Sequence, residues 1–182
     1  NTPINLIEDA DLVILIGANP KIETPIINHK IFKAFNNGAE VFNIGEDILL
    51  NYETNYLGKQ LAELNNEKLI KSIKKSKNPL IIIGSAFLNS IKNVNTFKSI
   101  VSFSQKHRVI TESKNNLNFL NPFSSRVGQL LIGNTTGQNC EPFTKLKNQN
   151  FDIVLSFGSE KIVDPSFDNC FRVYFGHHGD EG

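Results

Sequence analysis

Two short segments, LVILIG at 12–17 and LIIIG at 80–84, are apolar at every position up to a closing glycine. Side chains alternate between the two faces of a strand, so an uninterrupted apolar run of this length reads as a strand buried on both faces. Such strands belong to parallel sheets, and parallel strands are joined by crossovers that are usually helical. The chain is therefore expected to alternate strands with helices. Neither run approaches the roughly 20 residues that a membrane-spanning helix needs, so direct membrane insertion is not expected.

The rest of the sequence fits that alternation. Pro25 to Phe35 places Ile26, Ile27, Ile31 and Phe35 at roughly helical spacing, with Thr24 as an expected N-cap and Pro25 at the first helical position. Asn37 and Gly38 close this helix, and Ala39 to Gly45 returns as a second strand. Glu67 to Ser76 reads as a Lys-rich amphipathic helix before the 80–84 strand. Its lysines form the solvated face around Leu69, Ile70 and Ile73. Asn93 to His107 carries Val94, Phe97, Ile100, Val101 and Ser104 on one helical face. Strands are expected at Arg108 to Thr111, Asp152 to Gly158 and Arg172 to Phe175, a helix at Ser124 to Ile132, and an Asn-rich loop at Glu112 to Pro122. The fold class is α/β: a three-layer αβα sandwich with a mostly parallel, Rossmann-like sheet. At 182 residues, one domain over 1–182 is the expected organisation.

Ligands of such sheets bind at the carboxyl ends of the strands. The turns Gly17-Ala18-Asn19-Pro20, Gly45-Glu46, Gly84-Ser85, Gly158-Ser159 and Gly176 to Asp180 all fall there. The Gly17 turn lacks the GxGxxG spacing that cradles a pyrophosphate, and no Walker sequence is present. Its glycines are also accounted for by tight strand-to-helix turns. Glu40 and Glu46 flank the second strand, but without the glycine fingerprint they do not make an NAD ribose site. A formal net charge of +1 gives no broad field of the kind that selects nucleic acid.

His177, His178 and Asp180 form the densest group of ionisable side chains with imidazole. Adjacent residues of an extended segment point to opposite sides, so both rings face one metal ion only if a turn intervenes, and the flanking glycines permit one. A hydrogen-bonding role at the turn is the other reading; no third or fourth ligand is visible nearby. His29 and His107 occupy ordinary helical positions. Cys140 and Cys170 have no CxxC spacing, so they build neither an iron-sulfur nor a zinc site by themselves. No Gly-x-Ser-x-Gly elbow is present for a serine nucleophile. No catalytic or metal-ligating residue is assigned.

IEDADLVILIGANPKIETPIINHKIFKAF at 7–35 resembles the molybdopterin-oxidoreductase superfamily. Within it, the segment is most similar to the family of large iron-sulfur subunits of respiratory complex I. The matching residues are Gly17, Asn19, Pro20, Glu23, Pro25 and Asn28, with Lys21 where the family usually has Arg. Further matches are Ile44-Gly45, Asn51-Tyr52, Leu57-Gly58, Asn78-Pro79 with Ile82 to Ser85, and Tyr174 to Asp180 with its Gly-His-His-Gly-Asp signature. The resemblance covers nearly the whole chain, with 112–150 matched only by placement.

The resemblance implies an αβα domain descended from an enzyme that bound a molybdopterin dinucleotide and retained without that cofactor. Gly17, Asn19, Pro20, Glu23, His177, His178 and Asp180 would then be vestigial contacts. It also implies 2Fe-2S and 4Fe-4S clusters in an amino-terminal region that lies outside these residues, and it identifies the chain as a fragment, a split gene product or an excised domain. The implied partners are that cluster-bearing region and neighbouring peripheral-arm subunits, in a complex passing electrons from NADH to ubiquinone. The implied location is the matrix side of the mitochondrial inner membrane, or the cytoplasmic face of a bacterial one. Heavy use of Asn, Lys and Ile fits an AT-rich genome of an organelle or an endosymbiont-like bacterium. Two rivals remain open at this point: a molybdopterin-dependent oxidoreductase fragment that binds the pterin dinucleotide, and a nucleotide-binding middle domain like that of thiamine-diphosphate enzymes.

Overall fold

A computed structural model of the chain describes residues 2–90, 94–121, 149–157 and 169–176, together with Gly128, Leu131 and Phe167. The chain divides into two compact units, Asn1–Ser124 and Ser125–Gly182.

In the first unit the two apolar runs become neighbouring central strands. β1 (Leu12–Ile16) and β4 (Pro79–Ile83) are buried at all five positions each. They pair in parallel, Leu12 with Pro79 through Ile16 with Ile83. β2 (Glu40–Ile44) lies parallel on the other side of β1, followed by β3 (Asn55–Gly58), while β5 (Leu117–Phe119) extends the sheet beyond β4. The order is β3-β2-β1-β4-β5. The chain thus builds outward from β1 in one direction, then crosses back and builds in the other, which puts a topological switch point between β1 and β4.

Helices follow the strands: α1 (Pro20–Glu23), α2 (Pro25–Asn36), α3 (Glu67–Lys75), α4 (Ser85–Ser90) and α5 (Val94–Lys106). Alternation along β1 divides the core into two halves. Leu12, Ile14 and Ile16 join Leu69 and Ile73 of α3 and Ile100 and Phe103 of α5. Val13 and Leu15 join Ile31 of α2, Ile7, Leu50, Tyr52 and Leu120. Each fully buried Leu or Ile contributes about 1.5–3 kcal/mol relative to an exposed one. Helical layers on both faces make this unit the expected αβα sandwich with a parallel, Rossmann-like sheet.

Asp11 fastens the opposite end of β1 to the start of β4. Its carboxylate accepts hydrogen bonds from Ser76 Oγ, from Lys77 N at 2.7 Å and from Asn78 N at 3.0 Å. Partial burial pushes this carboxyl up, but those donors outweigh it and hold it below the usual aspartate value.

Three local expectations are corrected. Arg108 to Thr111 is not a strand; it has only an isolated bridge between Ile110 and Asn115. The strand lies instead in the Asn-rich stretch expected to be a loop, as β5. Its asparagines are compatible with a sheet edge because their amides find partners: Asn116 Nδ2 donates to Asn78 Oδ1 and Pro79 O, and Asn118 Nδ2 to Thr2 Oγ1. Thr24 makes no side-chain cap on α2, and its Oγ1 is buried without a partner. The other helix signals appear where expected, with Pro25 opening α2 and Gly38, at φ +98°, following its end.

In the second unit β6 (Ile153–Phe157) and β7 (Phe171–Phe175) form a two-stranded parallel sheet. Phe167 is buried there and stacks on Phe151 with ring centroids 6.2 Å apart. Cys170 is a free thiol whose Sγ donates to Phe167 O. The helix expected at 124–132 falls largely outside the described residues, as does Cys140.

Candidate functional site

The switch point is closed by three glycines and one carboxylate. The ladder runs on past the strand ends: Gly17 N donates to Ile44 O at 2.7 Å, Gly45 N to Gly58 O at 2.8 Å, and Gly84 N to Ile16 O at 3.0 Å. Gly17 has φ +53°, a left-handed conformation that glycine adopts without a Cβ penalty. A Cβ on Gly84 would lie 2.2 Å from Gly17 O and 2.3 Å from the Ala18 Cα, while one on Gly17 would lie 2.6 Å from the Phe87 Cβ. Backbone therefore touches backbone where a ligand of this fold class would enter, and Phe87 of α4 packs over the β1 turn.

Glu23 completes the closure. Its Oε1 accepts from Asn19 N at 2.6 Å and its Oε2 from Ser85 N at 2.8 Å. These amides belong to the turns after β1 and β4, at the starts of α1 and α4. Exposed amides in such positions are where α/β folds hold phosphates, because the N–H groups point outward and carry partial positive charge. Here the protein's own carboxylate takes both, tying together segments 62 residues apart.

Of the expected vestigial residues, the structure thus brings Gly17, Asn19, Pro20 and Glu23 together. Pro20 is buried, and Asn19 Oδ1 is a buried acceptor without a partner. His177, His178 and Asp180 lie outside the described residues, as do Gly158 and Ser159. Sequence reasoning missed Ser85 and Phe87 as members of this site. The Gly84-Ser85 turn marked the place, but no local pattern pairs it with Glu23.

Beside the closed crevice, over the ends of β1 and β2, is a cavity of about 190 Å³ lined by residues including Gly17, Gly45, Lys59, Leu61 and Phe87. Small-molecule sites usually have about 300–1,000 Å³. Glu46, which also lines it, pairs with Lys59 at 3.0 Å, and both side chains are exposed. Glu40 sits at the amino-terminal start of β2 and accepts from Ser72 Oγ at 2.7 Å. Neither glutamate is placed as a free ribose acceptor. Among the described residues no group of three or more His, Cys, Asp or Glu is arranged to hold a metal ion. His29 is exposed on α2, and His107 stacks on Phe103 with centroids 4.4 Å apart.

A doubly wound α/β sheet with its switch point at a Gly-x-Asn-Pro turn defines a class derived from nucleotide-binding folds. The chain belongs to the molybdopterin oxidoreductase family, whose model matches residues 1–182. It is 32% identical over its full length to the NADH-ubiquinone oxidoreductase 75 kDa subunit of Reclinomonas americana, where the match covers 27% of that protein. It is 30% identical to the mitochondrial NADH-ubiquinone oxidoreductase 78 kDa subunit of Candida albicans, over all of this chain and 25% of that protein. It is 29% identical to an NADH-quinone oxidoreductase subunit of Rickettsia bellii, over all of this chain and 27% of that protein. The chain therefore spans about a quarter of the length of these curated relatives. Among solved structures, a chain of the formyltransferase/hydrolase complex FhcABCD from Methylorubrum extorquens, solved with methylofuran, matches all of this chain and 61% of its own length. That match has a TM-score of 0.55 at 13% identity and bears on the fold alone.

Membership of this family implies a molybdopterin cofactor, and the described residues at the switch point do not fit one. Both amides that would face a phosphate are bonded to Glu23, whose negative charge would oppose another anion, and the adjoining cavity is small for a pterin dinucleotide.

Proposed function

We propose that the chain is a structural and assembly segment of the large iron-sulfur subunit of respiratory complex I, without a catalytic residue or cofactor of its own. The single observation that carries the non-catalytic part is the Glu23 carboxylate bonded to the Asn19 and Ser85 amides. Full-length similarity to the complex I large subunits supports the assignment to that complex. In this reading the subunit's 2Fe-2S and 4Fe-4S clusters sit in the cluster-bearing amino-terminal part of the polypeptide. The α/β layers described here pack against that part and against neighbouring peripheral-arm subunits. The parent complex transfers electrons from NADH to ubiquinone at the inner face of a mitochondrial membrane, or on the cytoplasmic side in a bacterium. Among the described residues no helix is long and apolar enough to cross a membrane.

In this reading the segment acts through rigidity. Gly17, Gly84 and Glu23 lock the β1 and β4 turns together, so the surface presented to partners has one shape. The test is to introduce Gly17→Val into the native gene and resolve detergent-solubilised membranes on a native gel. The expected result is loss of assembled complex, with electron transfer per remaining complex unchanged. A variant that assembles fully but transfers electrons slowly would overturn the scaffold reading.

A further inference from the structure

The β6-β7 sheet leaves one face bare. In its parallel register Ile153 lies beside Phe171, Leu155 beside Val173 and Phe157 beside Phe175. Alternation places these six side chains on the same side of the sheet. Five are exposed by half or more: Ile153 59%, Leu155 54%, Phe157 70%, Phe171 69% and Phe175 51%. The Phe157 and Phe175 rings stack at 4.7 Å, 5° from parallel, which makes the end of the face flat and aromatic. The intervening Val154, Ser156 and Tyr174, on the other side, are half-buried.

A contiguous apolar face of this kind marks an interaction surface. Parallel sheets are almost always covered by helices on both faces, and a two-stranded sheet has little stability of its own. The face carries no charged or hydrogen-bonding side chain, so its complement is an apolar stripe. Two strands about 4.8 Å apart match the stripe that an amphipathic helix presents at i, i+3, i+4 and i+7. The matched curated relatives extend far beyond the aligned region, since the match covers only 25–27% of their length.

We infer that an amphipathic helix from the same subunit polypeptide, outside residues 1–182, covers this face along Ile153, Leu155, Phe157, Phe171 and Phe175. The inference rests on the reading of the chain as part of a longer subunit. The test places a photo-crosslinking benzoylphenylalanine at Leu155 in the intact polypeptide in its source, followed by native purification and peptide mapping. Crosslinks should fall on apolar residues at helical spacing in that same polypeptide, outside this region. Leu155→Asp should reduce the amount of purified intact polypeptide several-fold, whereas Asp152→Asn at the strand's edge should leave it unchanged. Crosslinks to a second copy, to a different subunit or to water alone would overturn the inference, as would a polypeptide with no sequence beyond these residues. Copurification with complex I subunits is scored separately in the same preparation. Comigration with misplaced crosslinks sinks this inference alone, and absence of comigration sinks the complex I reading.

Discussion

Glu23→Ala removes the one side chain that ties the β1 turn to the β4 turn. Two amides lose a carboxylate acceptor at 2.6 and 2.8 Å. A hydrogen bond to a charged group contributes about 1.5–3 kcal/mol, and a helix cap about 1 kcal/mol. The two bonds share one partly exposed carboxylate and water can replace some of what is lost, so the expected cost is about 2–3 kcal/mol rather than the sum. For a unit of this size each kcal/mol lowers the melting temperature by about 3–5 °C, giving a shift of about 6–15 °C. Glu23→Gln should fall between Ala and wild type, because one oxygen still accepts while its amide NH2 meets an N–H. Glu46→Ala is the control; it breaks an exposed pair with Lys59, and such pairs contribute about 0–1 kcal/mol. Thermal unfolding followed by circular dichroism decides the matter. If Glu23→Ala melts within a degree of wild type, or no lower than Glu46→Ala, the carboxylate does not hold the switch point together.

Gly84→Ala should be at least as damaging, because its Cβ would lie 2.2 Å from Gly17 O and neither backbone can retreat without opening the sheet; a loss of about 1–3 kcal/mol or more is expected in urea titration. Tyr52→Phe removes the buried hydroxyl that donates to Asn28 Oδ1 at 2.8 Å and leaves an unpaired acceptor, costing about 1–2 kcal/mol by the same titration. The acid limb of stability should depend on Asp11. Its carboxyl is held below the usual value in the folded chain, so its contribution is fully present above about pH 4 and disappears as pH falls through the lowered folded value. Asp11→Asn should therefore be less stable than wild type at pH 7 and show a shallower loss between about pH 4 and 2 in a pH series of melts.

Much of the first unit was legible because its signals are local. β1 and β4 announce themselves by apolar runs without a polar break, and α3 by lysines surrounding Leu69 and Ile73, both buried in the structure. α2 was set by Pro25 at its start and Gly38 after its end. What stayed hidden depends on long-range pairing. β3 is a four-residue, largely half-exposed edge strand with no strong pattern of its own. β5 is polar in sequence and exists because β4 offers an edge and Asn78, Pro79 and Thr2 satisfy its asparagines. The site divided in the same way. Gly17, Asn19, Pro20 and Glu23 were visible as a turn, but the Ser85 amide that gives Glu23 its role lies 62 residues away.

The most direct test of a segment that keeps the fold of a pterin enzyme without its cofactor is elemental and pterin analysis of the natively purified intact polypeptide. Iron comigrating with complex I subunits, with no stoichiometric molybdenum or tungsten and no pterin fluorescence, is the result expected from a switch point closed by Glu23. A free protein carrying molybdenum or tungsten with a bound pterin would contradict it, and would make the Asn19 turn a cofactor contact.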